Sequence, residues 1–289
     1  MQIGIRLHDT YDLPLEERLR IVKDQGFCCA HVALYKVLKD YTVTPGILTP
    51  GLAMYLKKLF QNYNIDIAVL GCYLNLANPD AVQLERTIDS YLAHIRFASL
   101  LGCGVLGTET GAPNTSYSYE PACHGEEALQ TLIQNLGRVV TYAEKMGVII
   151  AIEPVRSHIV YTPKIARRVL DEINSPNLQI IFDPVNLLEM DNYKQQEQVI
   201  REAIDLLGDD IAVIHMKDYL VQEGKMVSVA AGMGDMDYTP VIDFIKKRKP
   251  MIQCTLEDTT PKNAVAAREF IQNLWESSNF AVFTEGQSF

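Results

Sequence analysis

The sequence predicts an α/β fold of the closed (β/α)8 TIM-barrel type, and three observations carry that prediction. Eight short apolar runs alternate with eight segments of helical periodicity along the whole chain. The runs begin at intervals of roughly 27 to 45 residues, the length of one strand-plus-helix unit. None of the runs is followed by a glycine-rich phosphate loop, the mark of a doubly wound nucleotide-binding sheet. A chain of 289 residues suits one barrel over 1–276 with a polar-ended tail over 277–289. The tail is free to stay loose or to pack on a neighbouring copy.

The predicted strands are 3–7, 30–35, 66–73, 105–108, 148–152, 178–182, 211–215 and 252–256. They are mostly continuous apolar runs, as parallel strands covered on both faces require. Helices follow over 15–25, 51–63, 81–101, 126–146, 163–173, 195–207, 240–247 and 263–276, with apolar residues three and four apart. Thr162-Pro163 and Thr239-Pro240 read as N-caps followed by proline at the first helical position. Gly26 and Gly147 stand just past helix ends, where a left-handed residue is wanted.

Composition narrows the function classes. Hydrophobic residues make up 48% of the chain and charged residues 21%, which excludes a disordered chain. A net charge of −10 speaks against a nucleic-acid surface, which needs a Lys/Arg patch. The Lys246-Lys247-Arg248-Lys249 run closes a predicted helix, where it faces the negative end of the helix dipole. The six cysteines lack C-x-x-C spacing and most sit among apolar residues, so reduced buried thiols are expected. No apolar stretch reaches membrane-spanning length, and no charged-then-apolar leader opens the chain. The expected protein is cytoplasmic, with no nucleic-acid or membrane partner.

Two glycine motifs need weighing. Gly102-Cys103-Gly104-Val105-Leu106-Gly107 matches G-x-G-x-x-G, but it follows a helix and enters a strand. A dinucleotide loop needs the reverse context, so this match reads as a helix C-cap and tight turn. Gly232-Met233-Gly234-Asp235 falls between strands seven and eight, on the side where barrel active sites form. It reads equally as a plain turn or as a substrate-covering loop or anion nest.

The chemistry concentrates at strand ends. Strand five ends in Glu153-Pro154 and strand six in Asp183-Pro184-Val185-Asn186. Strand seven ends in His215-Met216-Lys217-Asp218 and strand eight in Glu257-Asp258. A carboxylate buried at the end of an apolar strand is costly unless a cation or hydrogen bonds offset it. One such residue is ordinary cap chemistry; four successive strands ending this way point to a metal site. Three carboxylates and one imidazole suit Mn²⁺, Mg²⁺, Co²⁺ or Fe²⁺, with Zn²⁺ admissible, and are too oxygen-rich for structural zinc.

With these motifs in their order, the sequence resembles the xylose isomerase-like TIM-barrel superfamily, in its sugar (phosphate) isomerase/epimerase branch. The carriers are Ile152-Glu153-Pro154, Phe182 to Asn186, Ile214 to Asp218, Gly232-x-Gly234-Asp235 and Leu256-Glu257, spread over nearly the whole chain. The resemblance implies one divalent metal held by Glu153, Asp183, His215 and Glu257, with Glu153 and Glu257 also acting as acid and base. It further implies substrate contacts from His8, Tyr35, Tyr73 and Glu109 at the ends of strands one to four.

Two departures bear on the substrate. Ketose 3-epimerases of this branch typically place a His three residues after the strand-six Asp, where this chain has Asn186. They often carry an Arg six residues after the metal His, where this chain has Val221. DNA-repair endonucleases of the superfamily hold three zinc ions with further histidines. Asn186 and Glu109 stand where two of those are expected, and the charge of −10 opposes that reading.

The activity implied is proton abstraction next to a carbonyl, through a metal-stabilised enediolate, on a sugar or polyol-derived substrate. Asn186 and Lys217 are further substrate-side candidates, and Lys217 or Arg156 is placed to hold a carboxylate or phosphate. An inosose-type dehydratase shares the same first step. Metal-assisted hydrolysis and a non-catalytic sugar-binding barrel are the remaining classes.

Overall fold

The computed structural model describes residues 1–40 and 42–278. The expected tail over 277–289 lies outside the described residues apart from Ser277 and Ser278. The eight barrel strands are β1 (Gln2–Arg6), β2 (Cys29–Val32), β3 (Asp66–Gly71), β4 (Val105–Glu109), β5 (Ile149–Glu153), β6 (Leu178–Phe182), β7 (Ile211–Met216) and β10 (Gln253–Leu256). They pair in parallel and close in the order β1-β10-β7-β6-β5-β4-β3-β2. The (β/α)8 barrel is therefore what the alternation of runs predicts.

The outer helices are α1 (Leu15–Asp24), α3 (Pro50–Asn62), α4 (Ala81–Leu101), α5 (Glu126–Met146), α6 (Pro163–Ile173), α7 (Gln196–Leu207), α8 (Thr239–Arg248) and α9 (Ala264–Ser277), with a one-turn α2 (Leu34–Val37). Their boundaries answer to local chemistry. Thr162 accepts a hydrogen bond from the Ile165 N–H and opens α6. Gly102 and Gly147 end α4 and α5 in the left-handed conformation, at φ +82° and +66°. The G-x-G-x-x-G match is thus a helix stop.

Three expectations need correction. Thr239 is the first residue of α8 rather than its cap; the Asp237 carboxylate takes its N–H instead, at 2.9 Å. Predicted strand two is cut short at Val32, because the chain turns into α2 at Leu34. The segment after β7 is an antiparallel hairpin, β8 (Asp218–Gln222) with β9 (Lys225–Val229), where apolar spacing alone suggests only a connection. Val221 pairs with Met226 in that hairpin and packs on the core. No helix among the described residues is long and apolar enough to cross a membrane. The six cysteines are free, and all but Cys28 are buried.

The core has two layers. A large cluster fills the space between strands and helices, and a smaller one fills the barrel bore with Cys29, Ala68, Val69, Ala151, Ile181 and Val213. On β2, β5, β6 and β7 the smaller cluster fixes which residues face the bore, since alternate residues face the same side. His31, Glu153, Asp183 and His215 each stand two residues beyond Cys29, Ala151, Ile181 and Val213. The polar residues at the strand ends therefore form the next layer of the barrel interior, directly above its apolar floor.

Candidate active site

Four ligand-type side chains meet on that layer. Glu153, Asp183, His215 and Glu257 are buried, and each offers an atom within 4.8 Å of the other three. Adjacent strands enforce the meeting: Thr255 is level with His215, and the Glu257 N–H donates to the Met216 carbonyl at 3.0 Å. His215 Nδ1 lies 3.2 Å from Glu153 Oε1 and 3.3 Å from Glu257 Oε1, while its Nε2 is buried without a hydrogen-bond partner among the described residues. Three carboxylates this close and this buried repel one another and lose hydration, so a cation is favoured among them. The residues fit a divalent ion on those grounds. A second grouping, His31 with His215 and Glu257, satisfies the same spacing, so His31 borders the ion's place.

Lys217 shares the site. Its Nζ sits 2.9 Å from Asp183 Oδ2 and 3.7 Å from Glu257 Oε2, and the side chain is buried. Its parity follows from His215, two residues before it on the same inward face. Asp218 points the other way, into the β7–β8 corner, and accepts hydrogen bonds from the backbone N–H groups of Tyr219, Gly232 and Met236. This decides between the readings of the 232–235 loop. Its donors surround a carboxylate of the chain itself, so it is a locked corner rather than a free nest or a loose cover. A Cβ at Gly234 would overlap the Tyr219 carbonyl and the Asp218 carboxylate, which explains the glycine.

A cavity of about 400 Å³ opens over the layer. All six expected substrate contacts, His8, Tyr35, Tyr73, Glu109, Asn186 and Lys217, line it together with Glu153 and Glu257. Asn186 Nδ2 donates to Glu153 Oε1 at 2.7 Å, and the Asn186 N–H donates to Asp183 Oδ1 at 3.2 Å. It thus holds two members of the cluster. Glu109 is level with Glu153 on the neighbouring strand and accepts from the Tyr117 hydroxyl at 3.2 Å. Arg156 is drawn to Asp191 at 2.8 Å and Glu189 at 3.3 Å, so it serves the surface.

Several lining residues escape sequence reasoning. Arg6 at the end of β1 reaches Glu257 at 3.1 Å, Asp258 at 2.7 Å and Asp9 at 2.8 Å. His31 stacks on His215 at 5.2 Å, faces Glu257 Oε1 at 3.6 Å, and takes a hydrogen bond of 3.2 Å from the Tyr73 hydroxyl. Gly71 makes room for that pair, since a Cβ there would lie 2.7 Å from Tyr73 and 2.8 Å from His31. The signal for Arg6 and His31 was parity within their strands. Tyr117 and Lys36 come from loop and short helix, where no periodicity marks them.

Charge separates the two candidate acid/base groups in the metal-free chain. Burial pushes the Glu153 carboxyl up, and the nearby His215 only partly offsets this. Burial also acts on Glu257, but His215, His31, Lys217 and Arg6 outweigh it and hold that carboxyl well below the ordinary range. Burial would lower His215, yet Glu257 and Glu153 raise it to about 9. Burial dominates at His31 and lowers it to about 4, so its ring is neutral.

The fold and site define a closed parallel TIM barrel with a candidate metal centre at the ends of four of its strands. The chain belongs to the xylose isomerase-like TIM barrel family, whose sequence model matches residues 10–274. No curated protein matches it by sequence. Among solved structures it is similar to a D-tagatose 3-epimerase-like protein, with 20% identity and TM-score 0.74, covering 96% of this chain and 97% of the other. It is also similar to an IOLI protein with a bound zinc atom, at 19% identity and TM-score 0.73, covering 97% and 100%. A third is the probable 3-DHS dehydratase AsbF from Bacillus anthracis, at 13% identity and TM-score 0.72, covering 96% and 100%. At these identities the likeness is one of fold.

Proposed function

We propose that this protein is a divalent-metal-dependent sugar isomerase or epimerase that moves a proton on the carbon beside a carbonyl. One observation carries the reading. Of four buried, convergent ligand residues, two, Glu153 and Glu257, also line the cavity, while Asp183 and His215 lie beneath it. The lower pair serves the metal alone, and the upper pair also faces the substrate.

The metal, when bound, supplies a positive charge that polarises the substrate carbonyl. The chain's own groups do the rest. Glu153 and Glu257 come from β5 and β10, with β6 and β7 between them, so they approach a substrate from separated directions. One takes the carbon-bound proton and the other returns a proton on the opposite face, which gives epimerisation. Asn186 holds Glu153 by one oxygen, and Arg6 holds Glu257 by one oxygen, fixing both carboxylates. The oxygen-rich set favours Mn²⁺, Mg²⁺, Co²⁺ or Fe²⁺, and the zinc-bearing neighbour adds Zn²⁺ to the ions worth loading.

Dehydration is the second reading, supported by Glu109 with the Tyr117 hydroxyl across the cavity, a further acid for a departing hydroxyl. Both readings share the first proton transfer. The test is incubation of metal-loaded protein with ketoses, keto-acids and inososes in D₂O. Deuterium should appear on the carbon next to the carbonyl. Glu257→Gln should slow it by about 10²–10⁴-fold, the usual worth of general acid–base catalysis. No exchange with any of these compounds overturns the function, and full exchange in the variant overturns the role of Glu257.

A further inference from the structure

The cations at the cavity are not equally occupied. Arg6 is matched to three carboxylates and Lys217 to two. Lys36, on α2, is matched to no carboxylate among the described residues. Its Nζ lies 3.1 Å from His8 Nε2 and 5.7 Å from the centre of the Tyr35 ring. Burial and the nearby Lys36 lower His8 to about 3, so the ring is neutral and the contact is a donation from Lys36. That leaves the remaining ammonium hydrogens of Lys36 unspent. It also places a proton on His8 Nδ1, which is buried without a partner.

Lys36 and the Glu153–Glu257 pair line one and the same cavity. His8, Tyr35 and Lys36 also wall a second cavity of about 450 Å³, lined further by Asp12, Arg18 and Lys39. Those two cations are spoken for by Asp12, at 2.5 Å and 3.2 Å. So in a chain of net charge −10, the β1–β2 rim keeps a positive group in surplus, facing the substrate space. A cation without a counter-charge beside a small-molecule cavity suits an anionic ligand group, held by charge-assisted hydrogen bonds.

We propose that the substrate carries an anionic group, a phosphate or a carboxylate, away from its reacting carbons, and that Lys36 receives it beside His8. This names the substrate class and rests on the proton-transfer reading only for what happens at the other end. Arg156 and Lys217, the cations that sequence suggests for such a group, are both engaged by carboxylates of the chain.

The test is a binding titration that needs no turnover. Metal-loaded full-length protein is titrated with D-sorbitol, D-sorbitol 6-phosphate and D-gluconate, none of which has a carbonyl to enolise. At least one of the two anions should bind about tenfold or more tightly than sorbitol, the scale of one charge-assisted hydrogen bond. Whichever gains identifies phosphate or carboxylate. The preference should vanish in Lys36→Gln and return in Lys36→Arg. Equal affinity for all three, binding of all three too weak to measure, or a preference that survives Lys36→Gln overturns the proposal. Failure of deuterium exchange, by contrast, removes the proton-transfer function and leaves this titration standing.

Discussion

The two halves of the barrel mouth are built on different terms. On the half formed by β5, β6, β7 and β10, every strand ends in a buried ligand-type residue, and Asp183 and His215 are at most 1% exposed. On the half formed by β1 to β4, the strands end toward Arg6, His31, Tyr73 and Glu109, and the rim carries the exposed Tyr35 and Lys36. The first half concentrates negative charge that only a cation relieves. The second supplies hydrogen-bond donors and positive charge around an open space. On the proposed reading the first wall holds the ion and the second does most of the substrate recognition, with Asn186 and Lys217 reaching the cavity from the ion's side and Glu153 and Glu257 belonging to both tasks.

The sharpest way to break this comparison is Asp183→Ala. It lies below the cavity floor, so metal affinity should fall by more than the roughly 10–100-fold that loss of an outer hydrogen-bond partner costs. Metal analysis after dialysis reads this directly, and full metal retention would remove Asp183 from the ligand set. Gly234→Ala tests the corner that stands over the same half. The added methyl meets the Tyr219 carbonyl and the Asp218 carboxylate, so urea unfolding should show a loss of about 1–3 kcal/mol. Unchanged stability would show that the hairpin accommodates a side chain. Tyr73→Phe probes the other half. It deletes the hydroxyl that His31 Nε2 accepts, so exchange should slow by about tenfold while metal content holds at one ion per chain. Loss of metal in that variant would erase the division between the halves.

The same division governs what could be read from sequence. The metal half is legible because a carboxylate or imidazole at the end of an apolar run has no cheap structural excuse, and four in succession have none. His8, Tyr35, Tyr73 and Glu109 follow from the family resemblance, and the cavity gathers them all. Arg6 and His31 lie inside or at the end of strands, and only knowing which parity faces the bore picks them out. Lys36 was hidden further, because predicted strand two ended one residue before it and no periodicity marks the one-turn α2. The β8–β9 hairpin was missed for a related reason. In β9 the exposed Lys225 and Ser228 fall on opposite faces among apolar residues, so no clean alternation separates the strand from a connection. Asp218 belonged to a recognised motif, but its service to the Gly232 and Met236 amides depends on a corner that no local pattern announces.

One contact has a bearing on how the chain is made. Arg6 and Asp258 are joined across 252 residues, and β1 pairs with β10. As the polypeptide leaves the ribosome, β1 has one hydrogen-bonding edge vacant until almost the entire chain has emerged. Arg6 puts a charge at the end of that open strand, a device by which sheet edges are kept from wrong pairing. A chain stopped before its last strand would lack both the seam's closure and Glu257, so the candidate site is complete only when the barrel is.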